Sequence, residues 1–336
     1  MDRIDTISEL LLCSGSQYRI YDIGRKITKI SKEDFNRLEQ NQMPYPYPIQ
    51  GHAIFAVAFW QVKAKTPYLW FIKLPLDERG LLNQGARNHF IAIIVEALGS
   101  DLTVDPSEKQ QELLNSNPYH VQPAEYKLAA INSLVRKELK QSASIHFEHF
   151  QTYINGQMAW DDWKNIGIQG INDLACELSQ PEIAQAVAAN VKQFPEQVFF
   201  PLCQALENHE LPLSIIDALL ELEKNRNEHA ITVHVIRAFS STTEHPHVQQ
   251  FIASLLNEPQ TDDIYITIAG RCWQAISAQG LEQLLSGLAK QKDLALFSAI
   301  FKDLVAIPLL RPHVFALMRS DTRSDALAKA IGQLFN

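Results

Sequence analysis

Lys73, Asp77, Glu78, Arg79, Arg87 and His89 fall where an apolar, strand-like stretch gives way to helical spacing. A helix N-terminus at such a junction presents backbone N–H groups with no intrahelical partner, and cationic side chains beside them can hold an anion or an acidic ligand. Lys73, Asp77, Arg79, Arg87 and His89 therefore form the candidate ligand-binding set. The same residues also suit a solvated strand end followed by an acidic helix start.

The histidines offer a second chemistry. His146-Phe147-Glu148-His149 puts two imidazoles three residues apart, neighbours on a helix face, with Glu148 beside them. Zinc would need a fourth group supplied by the fold, so these residues read as surface or capping histidines and no metal ligand is assigned. His229 with His234, and His245 with His247 around Pro246, are no better placed. The sequence contains no Gly-x-Ser-x-Gly elbow, no Gly-rich phosphate loop ending in Lys-Ser or Lys-Thr, and no His-Glu-x-x-His. No catalytic residue and no cofactor follow from it.

Arg25, Lys26, Lys29 and Lys32 form a basic cluster without interleaved stacking aromatics, which reads as a solvated face rather than a nucleic-acid site. Tyr45 and Tyr47 alternate with prolines in a rigid extended strip expected to pack over its own domain. Trp160 and Trp163 are expected to seal the first helical repeat against the domain before it.

The elements that must position these groups divide the chain. Residues 3–13 predict a short helix, residues 18–30 a hairpin around Gly24, and Ser31 with Asp34 a helix start running to about residue 42. Residues 53–62 and 68–74, rich in Phe, Trp, Val and Ile, predict a second antiparallel strand pair. A helix then runs to about Leu98, opened by the acidic Asp77 and Glu78 and stopped by Gly99. After a polar loop, Pro123 opens another helix; residues 143–154 suit a helix or a strand, and Asn155-Gly156 marks a turn near which the domain junction is placed. This gives an α+β domain over residues 1–155 with two hairpins.

Residues 156–336 predict an all-α domain with internal repetition. Prolines suited to a first helical turn stand at 181, 212, 246 and 312, separated by 31, 34 and twice 33 residues. Pro-His-Val recurs at 246–248 and 312–314, and Ala278-Gln279-Gly280 fills the place between. Companion helices start near 163, 195, 227, 261 and 292. Each has one apolar stripe, as in Tyr265, Ile268, Ala269 and Cys272 or Leu281, Leu284, Leu285 and Leu288. A lone helix pair cannot bury both stripes, whereas stacked pairs can, so the expectation is a short HEAT-like α-solenoid ending in a terminal cap over 324–335. A compact, non-repeating helical domain is the other arrangement this pattern permits.

Charge is divided unequally. Residues 1–150 carry 17 basic and 17 acidic side chains, while residues 151–336 carry 13 basic and 21 acidic, so the whole net charge of −8 lies in the second part. Such a surface repels phosphate backbones and attracts basic partners, making a protein partner expected and nucleic acid not. The four cysteines, at 13, 176, 203 and 272, match neither a metal pair nor a disulfide framework and suit a reducing cytoplasm. Leu10-Leu11-Leu12-Cys13 is too short for a signal segment, and no apolar run reaches the roughly 20 residues of a membrane span.

At Tyr68-Leu69-Trp70-Phe71-Ile72-Lys73-Leu74-Pro75-Leu76-Asp77-Glu78-Arg79-Gly80-Leu81-Leu82, and again at Trp163-Lys164-Asn165-Ile166-Gly167-Ile168-Gln169-Gly170-Ile171, the chain resembles an uncharacterised gammaproteobacterial domain-of-unknown-function family. The resemblance implies a bacterial cytosolic protein and brings no catalytic or binding residue with it. Two functions are then expected: an interaction or scaffold protein using an acidic helical-repeat surface, or a small-ligand-binding protein or enzyme with a pocket where the two domains meet.

Overall fold

The computed structural model describes residues 4–61, 66–99, 101–103, 107–321 and 323–335. Thr6 and Glu9 close a reciprocal capping box that opens α1 (Ile7–Cys13). Gly15, at φ +71, a backbone conformation only glycine adopts freely, turns the chain into β1 (Ser16–Asp22), which folds back as β2 (Thr28–Ile30). Ser31 accepts from the Asp34 N–H and caps α2 (Lys32–Glu39). The aromatic and β-branched runs form β3 (His52–Gln61) and β4 (Tyr68–Pro75), paired antiparallel with Phe55 opposite Ile72.

Both expected hairpins are present, and they join into one sheet of order β2-β1-β3-β4, with Ile20 between Ile30 and Val57. Strand periodicity puts Phe55, Val57 and Phe59 on one face, and these pack with Leu10, Leu11, Phe35, Phe90 and Ile94 in a single core. Phe90 and Ile94 belong to α3 (Gln84–Leu98). That helix starts later than the sequence implies: the Asn83 side chain, accepting from Ala86 N–H, is its cap, and Asp77 and Glu78 lie in the preceding loop rather than in a first turn. Gly99, at φ +67, ends it as expected. Then α4 (Glu108–Asn115) packs on α3, and residues 117–121 line the outer side of β4, where Lys73 N–H donates to Tyr119 O at 2.8 Å and Val121 N–H to Phe71 O at 3.1 Å.

The chain forms two compact units, Met1–Pro123 with Val305–Arg311, and Ala124–Leu304 with Pro312–Asn336. The sequence puts the junction near residue 155; here α5 (Glu125–Glu138) and α6 (Phe147–Ile154) fall in the second unit, because both pack on α7 (Ile168–Ala175). The segment left open between helix and strand is thus helical. Residues 160–165 form 3-10 turns, so the companion helix expected near 163 opens instead at Ile168, as α7.

After α7 follow α8 (Pro181–Asn190), α9 (Glu196–Leu206), α10 (Leu213–Arg226), α11 (His229–Ala238), α12 (Pro246–Leu256), α13 (Asp262–Arg271), α14 (Ala278–Lys290), α15 (Leu294–Ala306), α16 (Arg311–Arg319) and α17 (Asp325–Gln333), all in the second unit except the end of α15 and the first residue of α16. Pro181 and Pro246 stand in the first turns of α8 and α12, and Pro212 is the N-cap of α10. At α14, which has no proline, Ser277 caps instead by accepting from Gly280 N–H. From α6 to α14 the helices pack on their next-but-one neighbours: α7 on α9, α9 on α11 and α11 on α13, and in a second row α6 on α8, α8 on α10, α10 on α12 and α12 on α14. α17 packs on α14. The apolar stripes face inward, with Val248, Ile268, Leu284 and Val314 wholly buried. The protein is mainly α, a small antiparallel four-stranded sheet followed by many helices. No helix among the described residues is long and apolar enough to cross a membrane.

Candidate functional site

The five predicted ligand-binding residues have separate partners. Asp77 Oδ1 accepts from Leu81 N–H at 2.8 Å and from Arg79 N–H at 2.9 Å, while its Oδ2 meets the Arg79 guanidinium at 3.1 Å. The Leu81 N–H above all, with Arg79 behind it, holds the Asp77 carboxyl below its ordinary range. The pair builds a turn. Arg87 is buried, donating through Nη1 to Glu39 O and through Nε and Nη2 to Asn88 Oδ1. Glu39 accepts from Ile7 N–H at 2.6 Å and Ser8 N–H at 3.1 Å at the start of α1; burial pushes its carboxyl up despite these bonds. His89 Nδ1 lies 3.2 Å from Tyr119 Oη, and Lys73 is half-buried on β4 opposite Ile54. Of the set, the structure brings together Asp77 and Arg79. A cavity of about 180 Å³ in this unit is lined instead by Trp70, Phe90, Ile94, Leu114, Asn117 and His120 among others.

The basic cluster is not a solvated face throughout. Arg25 is 1% exposed and donates through Nε to Pro48 O at 2.9 Å, and Lys26 is buried as well. Tyr45 packs within its own unit, its hydroxyl donating to Asp22 Oδ1 at 2.6 Å; burial, with Asp22 next, pushes its phenol well up. Trp160 lies edge-on to Tyr153, whose hydroxyl donates to Trp160 O, and near Phe194. Among the described residues no three His, Cys, Asp or Glu side chains are grouped to hold a metal.

The helical unit holds polar groups that motif reasoning missed. Asp173 on α7 accepts from Ser133 Oγ, Ser144 N–H and Gln169 Nε2 at 2.5, 2.7 and 3.0 Å. Burial acts to raise its carboxyl, and these bonds outweigh it, so it is held below the ordinary value. Glu207, after α9, is fully buried and takes Arg237 of α11 and Arg271 of α13. Cys176 Sγ stands 3.9 Å from His209 Nε2; burial pushes the thiol up to about 12 and the imidazole down to about 4, leaving both neutral. The signal that could have found these groups is the repeat interval, since Cys176 and His209, or Glu207 and Arg237, stand about one period apart.

A cavity of about 710 Å³ in this unit opens between the end of α12 and the length of α14. Asn257, Glu258, Gln279, Glu282, Gln283 and Lys290 line it, with Tyr265 of α13 and Ser324 before α17. Tyr265 is 2% exposed and lies over Gly287, where a Cβ would stand 2.1 Å from the phenolic oxygen; only glycine leaves the ring its place. Gln260 N–H donates to that oxygen at 3.2 Å, and Gln283 Nε2 donates to Asn257 Oδ1 at 2.6 Å. Such a cleft, carboxamide-rich and flanked by carboxylates, can exchange hydrogen bonds with a polar ligand of either donor or acceptor character.

The fold and these sites define a two-unit, mainly α protein. The chain belongs to the family described as Protein of unknown function (DUF3549), which matches it over residues 2–335. No curated protein and no solved structure matches it significantly.

Proposed function

We propose that this is a cytoplasmic interaction or scaffold protein whose second unit, a short HEAT-like helical-repeat array, binds a basic partner protein through its acidic surface. The observation that carries this reading is the next-but-one packing of α6 to α14. Helices stacked in this way bury one stripe each against their neighbours and leave long outer faces for a partner. Charge supports it: Glu182, Asp217, Glu221, Glu244 and Asp263 are exposed, in the part of the chain with 21 acidic against 13 basic side chains. Attraction of this kind accelerates encounter and weakens with salt. The cysteines agree with a reducing compartment, being free and, apart from Cys13, buried.

The test is a comparison of two immobilised proteins, the wild type and a variant carrying Glu182→Gln, Asp217→Asn, Glu221→Gln and Glu244→Gln. Exposed to a bacterial lysate at low and at physiological salt, the wild type is expected to retain basic proteins that the variant does not, with retention falling as salt rises. Equal retention by both, or none by either, would overturn the reading.

A further inference from the structure

We infer that the cleft between α12 and α14 seats an extended segment of the partner protein, held by its main chain and chosen for one or two basic side chains. This rests on the protein-binding function proposed above and adds to its acidic surface the place where one segment of the partner is held. Three features of the cleft argue for it.

The first is Tyr265. Its oxygen accepts from Gln260 N–H, and its own hydroxyl proton has no acceptor among the described residues, although the side chain is 2% exposed. A hydroxyl whose proton is uncommitted can donate to a carbonyl entering the cleft. The second is the carboxamide pair. The bond from Gln283 Nε2 to Asn257 Oδ1 fixes both amides, and it leaves Gln283 Oε1 as an acceptor and Asn257 Nδ2 as a donor. That is the complement of a peptide unit, one C=O and one N–H, and it reads backbone whatever the side chain. The third is charge. Glu258 and Glu282 line the cleft without an ion pair among the described residues and suit Lys or Arg of the ligand. Lys290, two turns beyond Glu282 on α14, disfavours a uniformly basic string. The volume, about 710 Å³, falls within the usual span of ligand sites.

The experiment pans a phage-displayed random decapeptide library on the full-length chain, then measures synthetic copies of the enriched peptides against three proteins: wild type, Tyr265→Phe, and Glu258→Gln with Glu282→Gln. Thermal melts establish that the variants are folded. Enriched peptides are expected to carry one or two Lys or Arg residues. Tyr265→Phe should weaken them about five- to tenfold, the loss of one hydrogen bond. The double Gln variant should weaken them by at least as much and flatten their salt dependence, and methylating a single peptide nitrogen should abolish binding in at least one position. Basic peptides that bind all three proteins alike would overturn the cleft while leaving the acidic-surface function standing. No enrichment of basic peptides would overturn the cleft, and the acidic-surface function falls with it only if the lysate comparison also shows no difference between wild type and variant. Binding of a panel of neutral oligosaccharides that Tyr265→Phe removes would replace the peptide by a different class of ligand and so also overturn it.

Discussion

Arg237 Nε donates to Glu207 Oε2 at 2.6 Å, and the carboxylate that receives it has no solvent exposure at all. Arg271 Nε reaches the same oxygen at 3.1 Å, so one buried anion ties α9 to α11 and α13. Removing it strands two cations that are themselves largely buried, whereas an exposed pair is screened by water. Glu207→Gln should therefore cost about 3–5 kcal/mol of unfolding free energy in urea titration. Glu228→Gln, which breaks the half-exposed pair with Arg226, should cost less than about 1 kcal/mol. Equal losses at the two sites would refute the argument.

Gly170 of α7 has His146 O only 2.5 Å from where a Cβ would stand, and a backbone carbonyl cannot swing aside as a side chain can. Gly170→Ala should destabilise by roughly 1–3 kcal/mol, despite the gain of about 1 kcal/mol in helix propensity. Gly270→Ala, on α13 with open space around it, supplies the control and should be neutral or stabilising.

His209 makes stability pH-dependent. Burial, then the Lys137 charge, lowers its imidazole from 6.5 to about 4, so the folded protein binds this proton less readily than the unfolded chain. The contribution is complete above about pH 6.5 and is lost as pH falls toward 4, by at most a factor of ten in the folding constant per pH unit. Unfolding curves of wild type and His209→Leu between pH 7 and 4 should show the variant with the shallower decline. Parallel declines would mean that His209 titrates normally.

Thiol chemistry separates the cysteines. Cys13 is exposed, while Cys176, Cys203 and Cys272 are buried, and burial raises the thiols of Cys176 and Cys203 away from the reactive thiolate. A chromogenic disulfide reagent at pH 8 should modify one thiol rapidly in the native protein and the remaining three only after denaturant is added. Rapid modification of more than one would contradict the burial described.

Local rules carried much of this architecture. Pro181, Pro212 and Pro246 mark helix starts because a fixed φ and a missing N–H suit that position, and the companion helices expected near 195, 227, 261 and 292 open at Glu196, His229, Asp262 and Leu294. What escaped is non-local. The pairing of β1 with β3 joins residues as far apart in sequence as Ser16 and Gln61, and no turn signal announces it. The Asp77 and Glu78 pair looked like a helix start because acidic residues favour one, yet Asp77 spends its carboxylate on the N–H groups of Arg79 and Leu81. Arg87 reads from the sequence as one of the cations beside a helix start, and only the fold brings it to Glu39, 48 positions away. The cleft at Tyr265 was invisible for a related reason: Gly287 reads as a flaw in a helix until the ring that occupies its missing Cβ is seen.

The sheet order β2-β1-β3-β4 also constrains the protein while it is being made. β1 lies in the interior of the sheet although it is the first strand synthesised, so one of its edges has no partner until β3 has emerged. The outer side of β4 is closed later still, by residues near 121. At roughly 5–20 residues per second, about 100 residues of further translation leave a nascent chain with an open hydrogen-bonding edge for about 5–20 seconds. During that interval this unit is most open to mispairing with a neighbouring chain on the same polysome, and a chaperone that shields extended segments should raise its yield.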